Sequence, residues 1–271
     1  MFAAFLTALL ATQSAKACTP IPGAEALWSQ RQLKWIVVGE VHGTSEAPAA
    51  FGDLVCLSAA ARRPVVVAIE QAQADQPAID AYLKSDGGKA ARAAFLKSEM
   101  WNQPMKDGRT SRAYFDLIER LRGLRKAGVV SRVVAFAPQV DVSADRPFVP
   151  GDYERNMAEL LKNAGTRPDS LVLAYVGNLH ARRSLPTGFG DYRPAAALLP
   201  DRQTVTLDIR DKGGTVWNCQ SSRCGIHETG PSGPPIPRGL RLDAALDPGY
   251  DGILYLGSHT TASQPMEASG G

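Results

Sequence analysis

Val65 to Ile69, read VVVAI, is apolar at every position and closes on Glu70-Gln71. A strand with one wet face alternates apolar and polar residues, so this uniform run belongs inside a sheet covered on both sides. That requirement constrains the chain more than any other feature. Sheets of this kind are built from parallel strands joined by helical crossovers. Trp35 to Val38, Arg132 to Ala137, Ser170 to Val176, Gln203 to Ile209 and Gly252 to Leu256 supply further strands. Apolar residues at helical spacing fill the connections, over Ala47 to Arg62, Pro77 to Ser85, Lys89 to Ser98, Ser111 to Ala127 and Asp152 to Asn163. Shorter helices are expected over Ala24 to Arg31 and Asp191 to Leu199, and an irregular stretch over Gly225 to Gly239. The pattern predicts an α/β fold: a single domain with a largely parallel central sheet flanked by helices and a helical insertion after the second strand. At 271 residues and 44% hydrophobic content, the chain can bury such a core.

The N-terminus reads as an export signal. Phe2 to Ala11 is apolar and too short to span a membrane, and Ala15-Lys16-Ala17 matches an A-x-A cleavage pattern. Residues 1–17 are therefore expected to be removed, leaving no transmembrane span and a periplasmic or secreted protein. A lipid anchor on Cys18 is the weaker reading, because Ala15 stands where a lipobox carries a large aliphatic residue. Residues 18–259 form the expected domain, and 260–271 a disordered tail. In an oxidising compartment Cys219 and Cys224, with turn-forming serines between them, suit a small disulfide-closed loop. Cys56 falls in an apolar helical pattern and reads as a buried thiol.

Chemistry concentrates where the strands end. The first strand runs into Gly39, Glu40, His42, Gly43, Thr44, Ser45 and Glu46, with Ser45 placed to cap the following helix. The second ends in Glu70, the third in Gln139 and Asp141, and the fourth in Gly177, Asn178 and His180. Parallel strands bring all these ends to one sheet edge, where open α/β folds bind their ligands. Glu40, His42, Glu70 and His180 can act as general acid and base on a hydrolytic water, or hold a divalent metal through nitrogen and oxygen. No G-x-S-x-G elbow, P-loop, H-E-x-x-H or dinucleotide fingerprint is present. A net charge of +3 with no basic–aromatic patch argues against nucleic acid.

G-E-x-H-G-x-x-E at Gly39 to Glu46, an apolar strand ending in Glu70, and G-N-x-H at Gly177 to His180 resemble the superfamily of erythromycin esterases, ChaN-type haem-binding lipoproteins, and TraB and Tiki proteins. The resemblance runs from Trp35 to Leu256. It implies catalysis by His42 as general base beside Glu70, with Glu40 and His180 adjacent. Glu46, Asn178 and Gln139, at the same strand ends, are expected to contact substrate. The implied activity is hydrolysis of an ester, lactone or amide in a small-molecule or peptide substrate. It also implies cofactor options: manganese or zinc on His42, Glu40, Glu70 and His180, or haem in an envelope protein without turnover.

Overall fold

The computed structural model describes residues 18–139, 147–220, 223–233 and 235–266. The signal segment and Asp141 lie outside the described residues. Strands β1 (Trp35–Glu40), β2 (Val65–Ala72), β3 (Val130–Ala137), β4 (Leu171–Gly177), β5 (Thr204–Arg210), β8 (Gly239–Arg241) and β9 (Gly252–Tyr255) form one sheet. Their order is β3-β2-β4-β1-β5-β9-β8, parallel except for β8. β6 (Gly214–Gln220) and β7 (Arg223–Thr229) make a separate hairpin. The helices are α1 (Glu25–Trp28), α2 (Glu46–Leu57), α3 (Gln76–Lys84), α4 (Lys89–Phe95), α5 (Arg112–Lys126) and α6 (Pro150–Ala164).

The uniform apolar runs serve two cores at once. Ile36, Val38, Val65, Val67, Ile69, Leu171, Leu173 and Tyr175 face one core, shared with α2 to α5. The alternate residues Val37, Val66, Ala68, Val172, Ala174 and Val176 face the other, shared with α6. The period of two therefore survives within strands that contain no polar alternation. β4 lies between β1 and β2, with Glu40 level with Gly177 and Ile69 level with Tyr175. This inserted strand creates the switch in order at which three carboxyl ends meet.

Several local expectations change. Cys56 is not a free thiol: it is bonded to Cys18, with Cα atoms 5.6 Å apart, and pins the start of the domain to α2. The expected Cys219–Cys224 bridge is present and joins opposed positions of the hairpin. Ser45 makes no side-chain cap; the Ala47 amide donates instead to Thr44 Oγ1. The helix expected over Asp191 to Leu199 shrinks to a 3₁₀ turn at Ala195–Leu198, since Pro194 has no N–H to continue a ladder upstream. The stretch expected to be irregular takes in most of β7, which pairs with the adjacent β6 as a hairpin, and the first residue of β8, which pairs antiparallel with β9.

Thr260 to Met266, placed in the expected disordered tail, are ordered; 267–271 lie outside the described residues. The ordered segment stitches two loops together: the Ser45 amide donates to Thr261 O and the Ser263 amide to Gly43 O, while the Arg112 amide donates to Gln264 O and the Met266 amide to Thr110 O. A polar segment with few apolar residues is held here by backbone hydrogen bonds, which composition does not reveal. Among the described residues no helix is long and apolar enough to cross a membrane.

Two disulfides belong to an oxidising environment. A bridged Cys18 sulfur has no valence left for a lipid thioether. The protein purified without reductant is therefore expected to show no alkylation by iodoacetamide before reduction and an intact mass without diacylglycerol; a lipidated Cys18, or labelling of Cys56, contradicts the bridge. On loop entropy the longer Cys18–Cys56 closure stabilises by about 4 kcal/mol and the hairpin bridge by about 2, so Cys56→Ser should lower stability more than Cys219→Ser.

Candidate active site

Glu70 is the centre. It follows Val66 and Ala68 on the α6 face of β2, and its side chain is only 3% exposed. A carboxylate this deep needs donors on both oxygens. Arg109 Nη1 donates to Oε1 at 2.8 Å, the Gly177 amide donates to Oε2 at 2.7 Å, and His42 Nε2 lies 3.3 Å from Oε2. Burial by itself would raise the Glu70 pKa; the Arg109, His42 and His180 charges outweigh it and hold the group well below the usual carboxylate range. Arg109 is fixed from behind by Asp107, with contacts of 2.6 to 3.2 Å.

Two imidazoles approach Glu70, each backed by its own buried carboxylate. His42 Nδ1 is hydrogen-bonded to Glu40 Oε1. His180 Nδ1 lies 2.6 Å from Glu154 Oε1, whose other oxygen accepts from the Ala195 amide at 2.7 Å. His180 Nε2 stands 4.0 Å from Glu70 Oε1. The side chains of His42 and His180 are 21% and 23% exposed, against 1% for Glu40 and 4% for Glu154. Carboxylates form the floor, and imidazole edges face the solvent.

Gly177 sits at the meeting point. A Cβ there would lie 3.0 Å from His42 Nε2 and 3.5 Å from both Glu70 Oε2 and His180 Cδ2, so any larger residue would fill the space where the groups converge. Gly43 is required for a different reason. Its φ of +99° disfavours side chains, and a Cβ would meet the Trp217 carbonyl of the hairpin at 1.8 Å.

The two histidines differ. Both nitrogens of His42 face carboxylates, which only accept, so both carry protons. Burial pushes this imidazole down, but Glu40 and Glu70 together raise its pKa to about 10. His180 is also raised: burial lowers it, the Glu154 hydrogen bond and the Glu70 charge outweigh that, and His42 opposes them. Among the described residues no carboxylate lies within hydrogen-bond distance of His180 Nε2, which keeps an available lone pair in the neutral form.

The donor set does not fit a divalent metal. Arg109 and the Gly177 N–H occupy the lone pairs of Glu70, and both His42 nitrogens are engaged. Among the described residues no group of three or more His, Cys, Asp or Glu side chains is placed to hold a metal ion.

Glu40, His42, Glu70 and His180 come together from β1, β2 and β4, whereas the residues expected to touch substrate are placed differently. Glu46 Oε2 accepts from the Thr261 amide and ties down the C-terminal strap. Asn178 is half-buried in the turn after β4; its amide donates to Glu40 O and its carbonyl accepts from Tyr250. Gln139 is exposed just beyond β3. Sequence reading missed Asp107, Arg109 and Glu154. The first two lie in a stretch with no periodicity. Glu154 did leave a signal: it occupies the apolar stripe of α6 with Met157, Ala158 and Leu161, where a carboxylate is out of place.

The fold has solved relatives. Erythromycin esterase EreC, as its H289N mutant in an open conformation, is 12% identical, with 89% of this chain and 94% of that chain covered at a TM-score of 0.66. A succinoglycan biosynthesis protein is 10% identical, with 96% and 98% covered at 0.66. A Bacillus cereus protein is also 10% identical, with 96% and 99% covered at 0.58. The chain has the erythromycin-esterase fold. No family model matches the sequence, and no curated protein does. The resemblance read from three short motifs holds, at the level of architecture, for its erythromycin-esterase branch.

Removing one member of a buried ion pair leaves the other uncompensated. Arg109→Met should therefore lower stability by about 3–5 kcal/mol in urea unfolding, and Glu70→Gln in the same chain should recover part of that loss. Strict additivity of the two changes would show that the pair is uncoupled. Stability should also depend on pH through His42. Its folded pKa, about 10, exceeds the ordinary 6.5, so its contribution is complete below pH 6.5 and disappears as pH rises through 10. The stability difference between wild type and His42→Asn should shrink over that window; a difference that grows toward pH 10 contradicts the assignment.

Proposed function

We propose that this protein is an exported hydrolase of neutral esters, lactones or amides, in which two imidazoles divide the acid and base work. One observation carries the reading: two carboxylate-backed histidines face a single arginine-clamped glutamate at the carboxyl edge of the sheet. Fold likeness to an esterase raises the prior and assigns no reaction.

His180 is the base. Glu154 accepts a hydrogen bond from Nδ1–H and fixes that tautomer, which leaves the Nε2 lone pair to accept a proton from water. His42 is the acid and electrophile. Its Nδ1 proton is held by Glu40, and its Nε2 proton rests on Glu70 through a long 3.3 Å contact. A substrate carbonyl or leaving oxygen can replace so weak a bond without disturbing the pair behind it. Glu70 is unsuited to be the base, because Arg109, the Gly177 amide and His42 all stabilise its charged form. It aligns the two rings instead. This exchanges the roles suggested by motif resemblance, which made His42 the base.

The surroundings favour a neutral substrate with an apolar group. Arg109 is neutralised by Glu70 and Asp107 and offers no free cation to an anion. Phe148, 50% exposed, packs 5.7 Å from the Tyr153 ring, which lies 5.7 Å from the His180 ring. These rings form an apolar wall beside the base.

Hydrolysis of a graded set of nitrophenyl esters and aryl lactones tests the proposal. His180→Asn and His42→Asn should each lower kcat by about 10²–10⁴-fold. The wild-type kcat/KM should rise with pH as His180 loses its proton above the ordinary histidine range, then fall near pH 10 as His42 does. Activity of both variants within a few-fold of wild type would sink the assignment. So would a profile that increases only while His42 deprotonates.

A further inference from the structure

Behind His42, on the sheet face opposite the one that carries Glu70, four buried polar atoms stand without a hydrogen-bond partner among the described residues: Glu40 Oε2, Tyr175 Oη, Tyr114 Oη and Gln71 Oε1. Strand parity places them together. Glu40 continues the row of Ile36 and Val38 on β1, Tyr175 that of Leu171 and Leu173 on β4, and Gln71 that of Val67 and Ile69 on β2, all facing the core beneath α2 and α5. Tyr114 comes down from α5, its ring centroid 5.9 Å from that of Tyr175. Phe51 of α2 packs on the other side of Tyr175 at 4.7 Å, so the ring cannot swing away.

Such atoms are costly to leave unsatisfied, and here the chemistry is complementary: two phenolic donors face two acceptors. Both phenols are pushed well above their usual range, by burial first and then by nearby carboxylates. They therefore stay protonated and able to donate. Glu40 is the carboxylate that acts most strongly on Tyr175, and Gln71 is within reach of Tyr114. Gln71 in turn donates from Nε2 to the Arg109 carbonyl at 3.2 Å.

We propose that Tyr175 is the positioning residue for Glu40, donating its hydroxyl to Oε2, directly or through one internal water, so that Oε1 stays on His42 Nδ1. Tyr114 satisfies Gln71 in the same way and steadies the Arg109 loop from below. The consequence for His42 follows from charge. A donor on Oε2 draws electron density from Oε1 and loosens its hold on the imidazole proton. Removing that donor lets Glu40 grip the proton harder and lets its carboxylate rotate. The groups facing Glu40 from the packed elements are His42, Glu70, Tyr114, Tyr175 and Asp208: His42 is already on Oε1, Glu70 is a carboxylate and only accepts, Asp208 is paired with Arg210, and Tyr114 lies against Gln71, which leaves Tyr175 as the donor for Oε2. The inference deepens the proposed hydrolase mechanism, but its first readout needs no substrate.

The test compares Tyr175→Phe with Tyr114→Phe, two deletions of one oxygen at equal depth. By proton NMR on the folded, substrate-free protein, the low-field His42 Nδ1 proton should move in Tyr175→Phe, and the pH at which the ring gives up its Nε2 proton should shift upward by about half to one unit. It should stay in place in Tyr114→Phe. With an ester substrate, Tyr175→Phe should lower kcat about ten-fold with KM within about two-fold. In the unmutated protein the Tyr175 hydroxyl proton should exchange slowly, a measurement that survives if the variant does not fold. An unmoved His42 signal in Tyr175→Phe, equal shifts in both variants, or a fast-exchanging Tyr175 hydroxyl overturns the proposal. A shifted signal without ester turnover would instead leave the positioning intact and remove the hydrolase reading.

Discussion

A charged carboxylate almost wholly removed from water is the constraint on which the site depends. Glu70 sits at the end of a strand buried on both faces, where its charge survives only if donors surround it. Each donor comes from a different part of the chain: Arg109 from the insertion between β2 and β3, the Gly177 amide from β4, and His42 from the turn after β1. The placement of β4 between β1 and β2 is therefore more than a detail of topology. It delivers a backbone N–H to the acid and puts, at Gly177, a residue without a side chain where both imidazoles approach it.

Charge balance around Glu70 explains why two similar residues can behave differently. His42 lies between two carboxylates and is stabilised as a cation. His180 has one carboxylate in contact and feels the His42 charge in opposition. Environment separates their proton affinities, which is the condition for one group to give and the other to take a proton at the same pH. Arg109, already balanced by two acids, contributes alignment and not a binding charge.

The sheet was readable from sequence because burial on both faces suppresses polar alternation, and few other structures ask for VVVAI. The strand-end residues were readable for the same reason: Glu40 and Glu70 follow apolar runs too closely to be ordinary surface acids. What escaped was whatever depends on tertiary proximity. Asp107 and Arg109 sit in an aperiodic loop, Tyr175 looks like one more strand aromatic, and the Cys18–Cys56 bridge joins residues 38 apart with no turn between them to suggest it. Glu154 was the avoidable miss, since a carboxylate in the apolar row of an amphipathic helix demands a buried partner. Thr44 and Ser45 are equally good caps by composition, and the backbone path alone decides between them.

The C-terminal strap completes the account of how loops hold a precise site. His42 lies on the turn after β1 and Arg109 on a single 3₁₀ turn, Gly108–Thr110, in the insertion, and connecting segments of that kind are ordinarily the most mobile parts of a fold. Here one extended segment bonds to both. Gly43 and Ser45 pair with Ser263 and Thr261, while Thr110 and Arg112 pair with Met266 and Gln264. The Ser263 hydroxyl accepts from the Ala113 amide, and Glu46 accepts from the Thr261 amide. The hairpin adds a further hold, its Trp217 amide donating to the Gly43 carbonyl and its indole to that of Lys106. The two turns thus behave as parts of one backbone-bonded layer laid across the sheet edge. Glu46, whose place in the motif suggests contact with substrate, acts within that layer: its carboxylate secures the strap that keeps His42 and Arg109 on either side of Glu70.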